Sequence, residues 1–540
     1  MKKEKEILIR RDVLFAICCA YLTIPVVIFL IGNLKLWIGI PAALIMACCA
    51  LWSCRDYCKG PDKKLKGLTD EFAGMKMPVK YLIILAVISL ITVFVSGVGE
   101  YIYSMVDHVF RRAIFNDLIN YKWPVIYDYS TQFNPRVIAV LGKTEGTAAL
   151  VYYTTFWMPS ALVGKLFGTA AGNIFLLIWT TLGVWLTLVG TTLIIRRISW
   201  AVPVIFITFS GLDALPNIVH SITQYDGFMA IEHWLPTFAY MSNFTQLSNV
   251  FNQCVPVWVL MVMLMLSSNV RSAGFIGSLS FAYSPWASIG MIPLAIALAF
   301  RKALQPEKKG RVVLQLLNPA GIISCILMLG IYGPYYMVST SASDESGFAW
   351  KFCKNFGEFL LFWVLLMIIE VIPFAVALWK KQKKEPLFIA SVLTLALIPV
   401  YKISYFNDFS MRASLPAFFV IAVMFTEMLA VMFAEDKQRI RKAKRRPKKE
   451  SCRCFFVLLL AVVCAFPSAV DLFLILGSEF TGEKHYENDI GSFGRIVGEE
   501  NGSYYSTEAY TESVMLRMAD GYEDTIFFKY LASSTESRQR

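Results

Sequence analysis

Charge is scarce in this chain. Only 17% of its 540 residues are Asp, Glu, Lys or Arg, and only 4 are His. Soluble domains carry about 25% charge, so an ordinary water-soluble globule is excluded at the outset. Metal-ligand spacing is missing as well. There is no HExxH, and Cys452 and Cys454 stand C-x-C in a basic loop with no second pair or histidine nearby, which gives neither a zinc site nor a disulfide framework. Most other cysteines, among them Cys18, Cys19, Cys48, Cys49, Cys325 and Cys464, sit in apolar runs as small hydrophobes. No internal repeat is evident, which counts against a transporter built from paired halves. No cleavable signal is expected either: Lys2, Lys3, Lys5, Arg10 and Arg11 precede an apolar run too long for a signal h-region.

What is present is apolar length. The chain is 56% hydrophobic and 14% aromatic with a mean hydropathy of +0.56. Continuous runs of about 18 or more apolar residues recur along it, and only helices or closed barrels satisfy their backbone in lipid. The runs do not alternate, so the expected fold is an all-α polytopic bundle of about 12–14 spans. Spans are expected at 13–33, 37–54, 80–98, 173–195, 200–217, 254–270, 284–300, 313–338, 357–379, 386–403, 413–433 and 454–476.

Loop charge orients the bundle. The net charge of +12 gathers in short loops, which is the positive-inside pattern rather than a nucleic-acid surface. The N-terminus and loops 55–80, 301–311, 380–384 and 437–449 are therefore expected in the cytoplasm. Loops 99–147, 339–355 and 402–412 and the tail from 477 are then extracytoplasmic, in a multi-pass protein of the cell membrane. The stretch 147–168 is apolar enough to cross, but counting it would put Arg196 and Arg197 outside. Reading it as a re-entrant or interfacial element restores the charge rule and places 217–253 outside. Four regions follow: an N-terminal helical hairpin with basic segments at 1–79, a membrane core at 80–433, a basic loop and last span at 434–476, and an outer tail at 477–540 packed on the membrane portion through IFFKYL.

Chemistry-bearing residues gather in three places. In GEYIYSMVDHVFRRAIFNDLINYKWPVIY, residues 99–127, a helix at about 100° per residue puts Asp107, His108, Arg111 and Arg112 on one arc and Val106, Val109, Phe110, Ala113 and Ile114 on another. Asp117 falls among the apolar residues. This reads as an amphipathic helix at the membrane interface. An acid there can take a proton from a hydroxyl, and arginines can hold a phosphate. A solvated face with an Asp107–Arg111 pair has the same spacing. The second place, SYFNDFSMR, holds Asp408 and Arg412 close after Lys402, and there a capping pair is the plain alternative. The third, HSITQYDGFMAIEHW followed by NFTQLSNVFNQ, offers His220, Asp226, Glu232 and His233 among aromatics and amides that suit sugar hydroxyls. Glu370 lies inside an expected span and Asp213 near the end of one, and intramembrane acids are functional candidates by default.

The run DHVFRRAIFNDLINYKWPVIY resembles the first outer loop of GT-C type membrane glycosyltransferases, and more closely a related group of large bacterial membrane proteins. The resemblance extends through LVYYTTFWMPSALVGKLFG, FSGLDALPNIV, IEHW, YMSNFTQLSNVFNQCVPVW, SPWASIG and NDFSMRASLPAFFV, in order, over roughly 80–430. It implies transfer of a hexose, with inversion, from a polyprenyl-phosphate donor to an envelope glycan or lipid acceptor on the outer face. The acid it implies is Asp107, with Glu100 and Asp117 behind it. On this reading Arg111, Arg112 and Arg412 would hold the lipid phosphate and Asp408, Glu232 and His233 would orient the sugar, with His108 a further substrate-binding candidate. His108 follows Asp107 where some members carry a paired acid, so a divalent metal is not indicated and no cofactor is assigned. Two spans within 13–54 precede the usual first one. A transporter or flippase of a lipid-linked envelope precursor, or a non-catalytic assembly protein, are the rival readings.

Overall fold

The computed structural model describes residues 5–58, 73–103, 105, 107–132, 145–224, 232–235, 238–267, 270–303, 309–338, 346–403, 407–441, 448–481, 492 and 517–533. Among them 8 helices are long and apolar enough to cross a membrane: Arg11–Asn33, Leu36–Tyr57, Thr169–Ile195, Asn243–Leu266, Pro319–Met337, Phe356–Gln382, Leu415–Arg439 and Glu450–Thr481. Shorter apolar helices at Val79–Val95, Ala273–Tyr283, Pro285–Arg301 and Pro386–Val400 stand beside them. The chain is a multi-pass, all-helical membrane bundle with three short β-sheets at its ends.

Contacts sort the loops into two ends. At one end Glu6–Arg10 pairs antiparallel with Gly74–Pro78, Tyr57 Oη donates to the Leu266 carbonyl at 2.9 Å, and Arg301 meets Glu385 at 2.8 Å. Lys381 meets Glu427 there at 2.6 Å. At the other end Ile126–Asp128, Thr147–Leu150 and Met518–Asp520 form one three-stranded sheet. The tail then closes on the first helical hairpin. Lys35 N–H donates to the Leu531 carbonyl at 2.8 Å and Ser533 N–H to the Asn33 carbonyl at 3.0 Å. Phe527 and Phe528 are buried, with the Phe527 ring 5.0 Å from that of Tyr335.

Several expected spans are built differently. The 147–168 stretch is a strand, a 3-10 turn and the ten-residue helix Met158–Phe167, after which Gly168, at φ +92°, turns the chain into Thr169–Ile195. The expected span 200–217 is two helices, Ala201–Thr208 and Ala214–Gln224, broken between them at 209–213. Asn243–Leu266 begins earlier than expected and kinks at Val250. In the Phe356–Gln382 run a π turn covers Met367–Val371. Pro373 has no N–H to give the carbonyl four residues back, and widening the helix there accommodates the loss.

The Asp107–Asn120 helix does not lie with its polar arc in water. Phe110, Ala113, Ile114, Phe115 and Leu118 are buried, but so are His108, Arg111 and Arg112. The helix is wedged between Met158–Phe167 and Asn243–Leu266, so the arc that amphipathicity assigns to solvent faces protein. A merely solvated face is thereby ruled out.

Helix contacts here use small residues, as expected where lipid supplies no hydrophobic drive. A Cβ on Gly190 would stand 2.2 Å from Val262 Cγ1, and one on Gly183 would stand 2.4 Å from Val255 Cγ1. Gly190→Leu must therefore part Thr169–Ile195 from Asn243–Leu266. We expect a loss of about 1–3 kcal/mol from overpacking, read as a lower midpoint in detergent thermal denaturation. An unchanged midpoint would mean that the two helices do not meet at this contact.

Candidate functional site

Asp107 opens its helix and accepts from Arg111 Nη2 at 3.1 Å, one turn on. Arg111 is 2% exposed, and its Nε and Nη1 atoms have no partner among the described residues. Arg412, on the short helix Asp408–Ala413, repeats the arrangement. Its Nη2 reaches Asp408 Oδ1 at 3.3 Å and its Nη1 reaches Gln246 Oε1 at 3.5 Å. Asn407 positions that helix from the left-handed region, φ +57°, where its side chain caps the Ser410 N–H.

These two acid–arginine pairs are near enough to act on common groups through charge. Arg111 interacts electrostatically with both Asp107 and Asp408, and so does His233. Arg111 and Arg412 both act on buried Cys254. Tyr153 is near Asp408 and Arg412 and bonds Trp286. Burial holds the His233 imidazole below its ordinary range, with Asp107 and Asp408 opposing.

His108 faces the same interior. Its ring stacks on Phe251 with centroids 5.5 Å apart, it bonds the Ser248 carbonyl, and its Nε2 has no partner among the described residues. Burial holds its pKa well below the usual imidazole range, and Arg112 and Arg111 add to this, so the ring is neutral at pH 7. An unfolded chain protonates this imidazole near pH 6.5 and the folded chain does not. The unfolded state then binds more protons at low pH, so stability falls as pH drops through about 6.5, with a slope of up to ~1.4 kcal/mol per pH unit. His108→Gln should flatten that part of the profile when thermal midpoints are compared between pH 7.5 and 5. An identical slope in the variant would contradict the buried neutral imidazole.

Other expected site residues lie elsewhere. Glu100, with φ +69°, sits 3.9 Å from Arg112 Nε and accepts from Asn173 at 3.5 Å, so it serves to hold Arg112. Asp117 is fully buried, ten residues or about 15 Å along the helix from Asp107, and accepts from Tyr127 Oη at 2.6 Å. The structure does not bring Asp117 into the Asp107 site. Nor does it bring Glu232 there. That carboxylate accepts from Ser242 N–H at 2.7 Å and from Ser210 Oγ at 3.5 Å. Burial, then Asp471 and Asp213, push it well above the usual carboxylate range. Asp226 lies outside the described residues.

No family model, curated protein or solved structure matches this chain.

Three contributors are not singled out by the sequence. Gln246 is one amide among several in NFTQLSNVFNQ, and Tyr153 carries no charge to mark it. Arg517, in the tail, lies over both the Phe110 ring at 5.0 Å and the Tyr152 ring at 5.4 Å, which brings a third cation near the Asp107 helix. Its strand carries it there, since Val151 N–H donates to the Arg517 carbonyl at 2.9 Å. Among the described residues no group of three or more His, Cys, Asp and Glu is arranged to hold a metal ion.

Proposed function

We propose that this protein is a membrane glycosyltransferase that moves a hexose from a polyprenyl-phosphate donor to an envelope glycan or lipid acceptor at the end of the bundle carrying Asp107, the extracytoplasmic end. One observation carries the reading: the Arg111 guanidinium is buried with Nε and Nη1 unpartnered among the described residues, beside an acid. A desolvated guanidinium is costly unless those donors meet an anion, and phosphate matches its planar fork. Arg412 adds a second guanidinium to the same site. Asp107 accepts the acceptor's hydroxyl proton as the sugar carbon is attacked. The leaving lipid phosphate takes up negative charge and is held by Arg111 and Arg412. His233, Asp408 and Gln246 orient sugar hydroxyls, and Tyr152 and Tyr153, whose rings are tilted against each other with centroids 5.1 Å apart, offer ring faces. The basic loops at the opposite end support a cytoplasmic N-terminus.

Binding of a polyprenyl monophosphate to the purified protein, followed by intrinsic tryptophan fluorescence, tests the phosphate assignment. Arg111→Gln should weaken it at least tenfold, and Arg111→Lys should restore it only in part, because an ammonium lacks the fork. Equal affinities in all three proteins would sink the assignment.

A second reading is favoured by a different observation. The break at 209–213 and the π turn at Glu370 set acids on discontinuous helices within the membrane bundle, as transporters do. A flippase of a lipid-linked precursor would use Arg111 and Arg412 to draw in the same phosphate, and would move the lipid across vesicles with no chemical product formed.

A further inference from the structure

Away from the Asp107 site, four acids meet inside the bundle with no arginine, lysine or histidine paired to any of them among the described residues. Glu370 stands midway along the Phe356–Gln382 run, on its π turn, and is 2% exposed. Asp213 stands at the break before Ala214–Gln224 and is fully buried. Trp234 Nε1 donates to both, at 3.1 Å to Asp213 Oδ1 and 3.2 Å to Glu370 Oε1. One N–H thus bridges two carboxyl groups, which stand close enough to interact. Two carboxylates have four acceptor oxygens and no hydrogen, so a direct bond between them in this buried place calls for a proton on one of them.

The remaining links are hydroxyls. Ser210 Oγ lies 2.9 Å from Asp213 Oδ2 and 3.5 Å from Glu232 Oε1. Glu232 Oε1 accepts from Ser242 N–H at 2.7 Å, which sets the carboxyl beside the Ser242 hydroxyl. Ser242 Oγ lies 2.7 Å from Thr245 Oγ1, which donates to Asp471 Oδ2 at 2.6 Å. Asp471 is half-buried, whereas the other three acids are buried. Among the described residues the remaining titratable neighbours are Tyr240, near Glu370, and Cys464, near Asp213. Two buried oxygens in this group, Glu370 Oε2 and Glu232 Oε2, have no donor among the described residues. Unsatisfied buried carboxylate oxygens point to a ligand that supplies a hydrogen or a positive charge. The space is tight, since a Cβ on Gly211 would overlap Glu370 Oε2 at 1.3 Å, so the ligand must be very small.

We propose that Asp213 and Glu370 share one exchangeable proton inside the membrane bundle, and that Ser210, Glu232, Ser242 and Thr245 connect the pair to Asp471 as a proton path. Each hydroxyl takes a proton from one side and releases its own on the other. Net transfer removes one proton from the pair and places one on Asp471, with no other bond changed. This proton site is independent of the lipid-phosphate reading, because its measurements follow a carboxyl proton and not a sugar.

Infrared spectra of the whole protein in lipid nanodiscs test it. At pH 7 we expect a protonated-carboxyl C=O band that shifts in deuterium oxide, and Glu370→Gln should remove it. Asp213→Asn keeps a donor facing Glu370 and preserves the fold, yet should displace the same band. Asp471→Asn should leave the band in place and slow its deuterium exchange at least tenfold. Absence of the band in the wild type, or a band unaltered in both Glu370→Gln and Asp213→Asn, would overturn the shared proton. Exchange in Asp471→Asn as fast as in the wild type would overturn the path. Disappearance of the wild-type band on adding sodium at constant pH would assign the site to a monovalent cation instead.

Discussion

Asp107→Asn should reduce consumption of a lipid-linked sugar donor by about 10²–10⁴-fold, the usual contribution of a positioned general base, while leaving polyprenyl-phosphate binding within a few-fold of wild type. The geometry separates the two effects. The substituted side chain would keep an amide oxygen facing Arg111 Nη2, which stands 3.1 Å from the native carboxylate, so the buried guanidinium stays in place. What the amide cannot do is accept a proton. Arg412 retains its own partner, Asp408, and continues to hold its side of the site. The measurement is donor turnover together with envelope glycan composition in cells carrying the variant. Unchanged turnover would remove Asp107 as the base, whereas binding with no turnover even in the wild type would leave an arginine site without chemistry, which is the flippase reading. Loss of binding and turnover together would mean that the Asp107 charge chiefly supports Arg111.

The second large effect is on stability. Phe527→Ala should cost about 3–5 kcal/mol, the range for emptying a buried aromatic site. Phe527 is fully buried against Tyr335, whose hydroxyl donates to the Tyr152 carbonyl at 3.1 Å. The loss therefore propagates toward Arg517 and the Asp107 helix. A thermal midpoint well below wild type is expected, with donor turnover falling in parallel. Exposed Tyr530, in the same segment, serves as the control, because Tyr530→Ala removes little buried surface. If Phe527→Ala and Tyr530→Ala behave alike, the segment is not a structural part of the bundle.

The helical bundle was legible because span length and loop charge are additive properties of short windows. Arg196 and Arg197 were enough to argue that 147–168 is a re-entrant or interfacial element rather than a full crossing, and that stretch holds a strand, a 3-10 turn and a ten-residue helix, none of span length. Pairing across distance was not legible. Glu232 and His233 are neighbours in the chain yet serve different clusters, and nothing in EHW separates them. The polar arc of Asp107–Asn120 obeys helical periodicity, but periodicity assigns it to water. Its burial depends on Phe251 and on the Met158–Phe167 helix, which arrive from elsewhere. Asp213 and Glu370 were visible as isolated acids. Trp234, which donates to both, was visible only as an aromatic residue.

The strand Met518–Asp520 has a consequence for biosynthesis. It completes the sheet built on Thr147–Leu150, and the segment after it is pinned to Asn33 and Lys35. Residues 517–533 are translated after the described membrane-length helices, so the newly inserted bundle must wait with that end unlatched until they arrive. During that interval the Phe527 niche and the edge of Thr147–Leu150 are open to chaperones and proteases. A ribosome stalled or terminated before residue 517 would leave a chain with all its spans inserted and its Asp107 end unsealed, and quality-control proteases could recognise it by that open end.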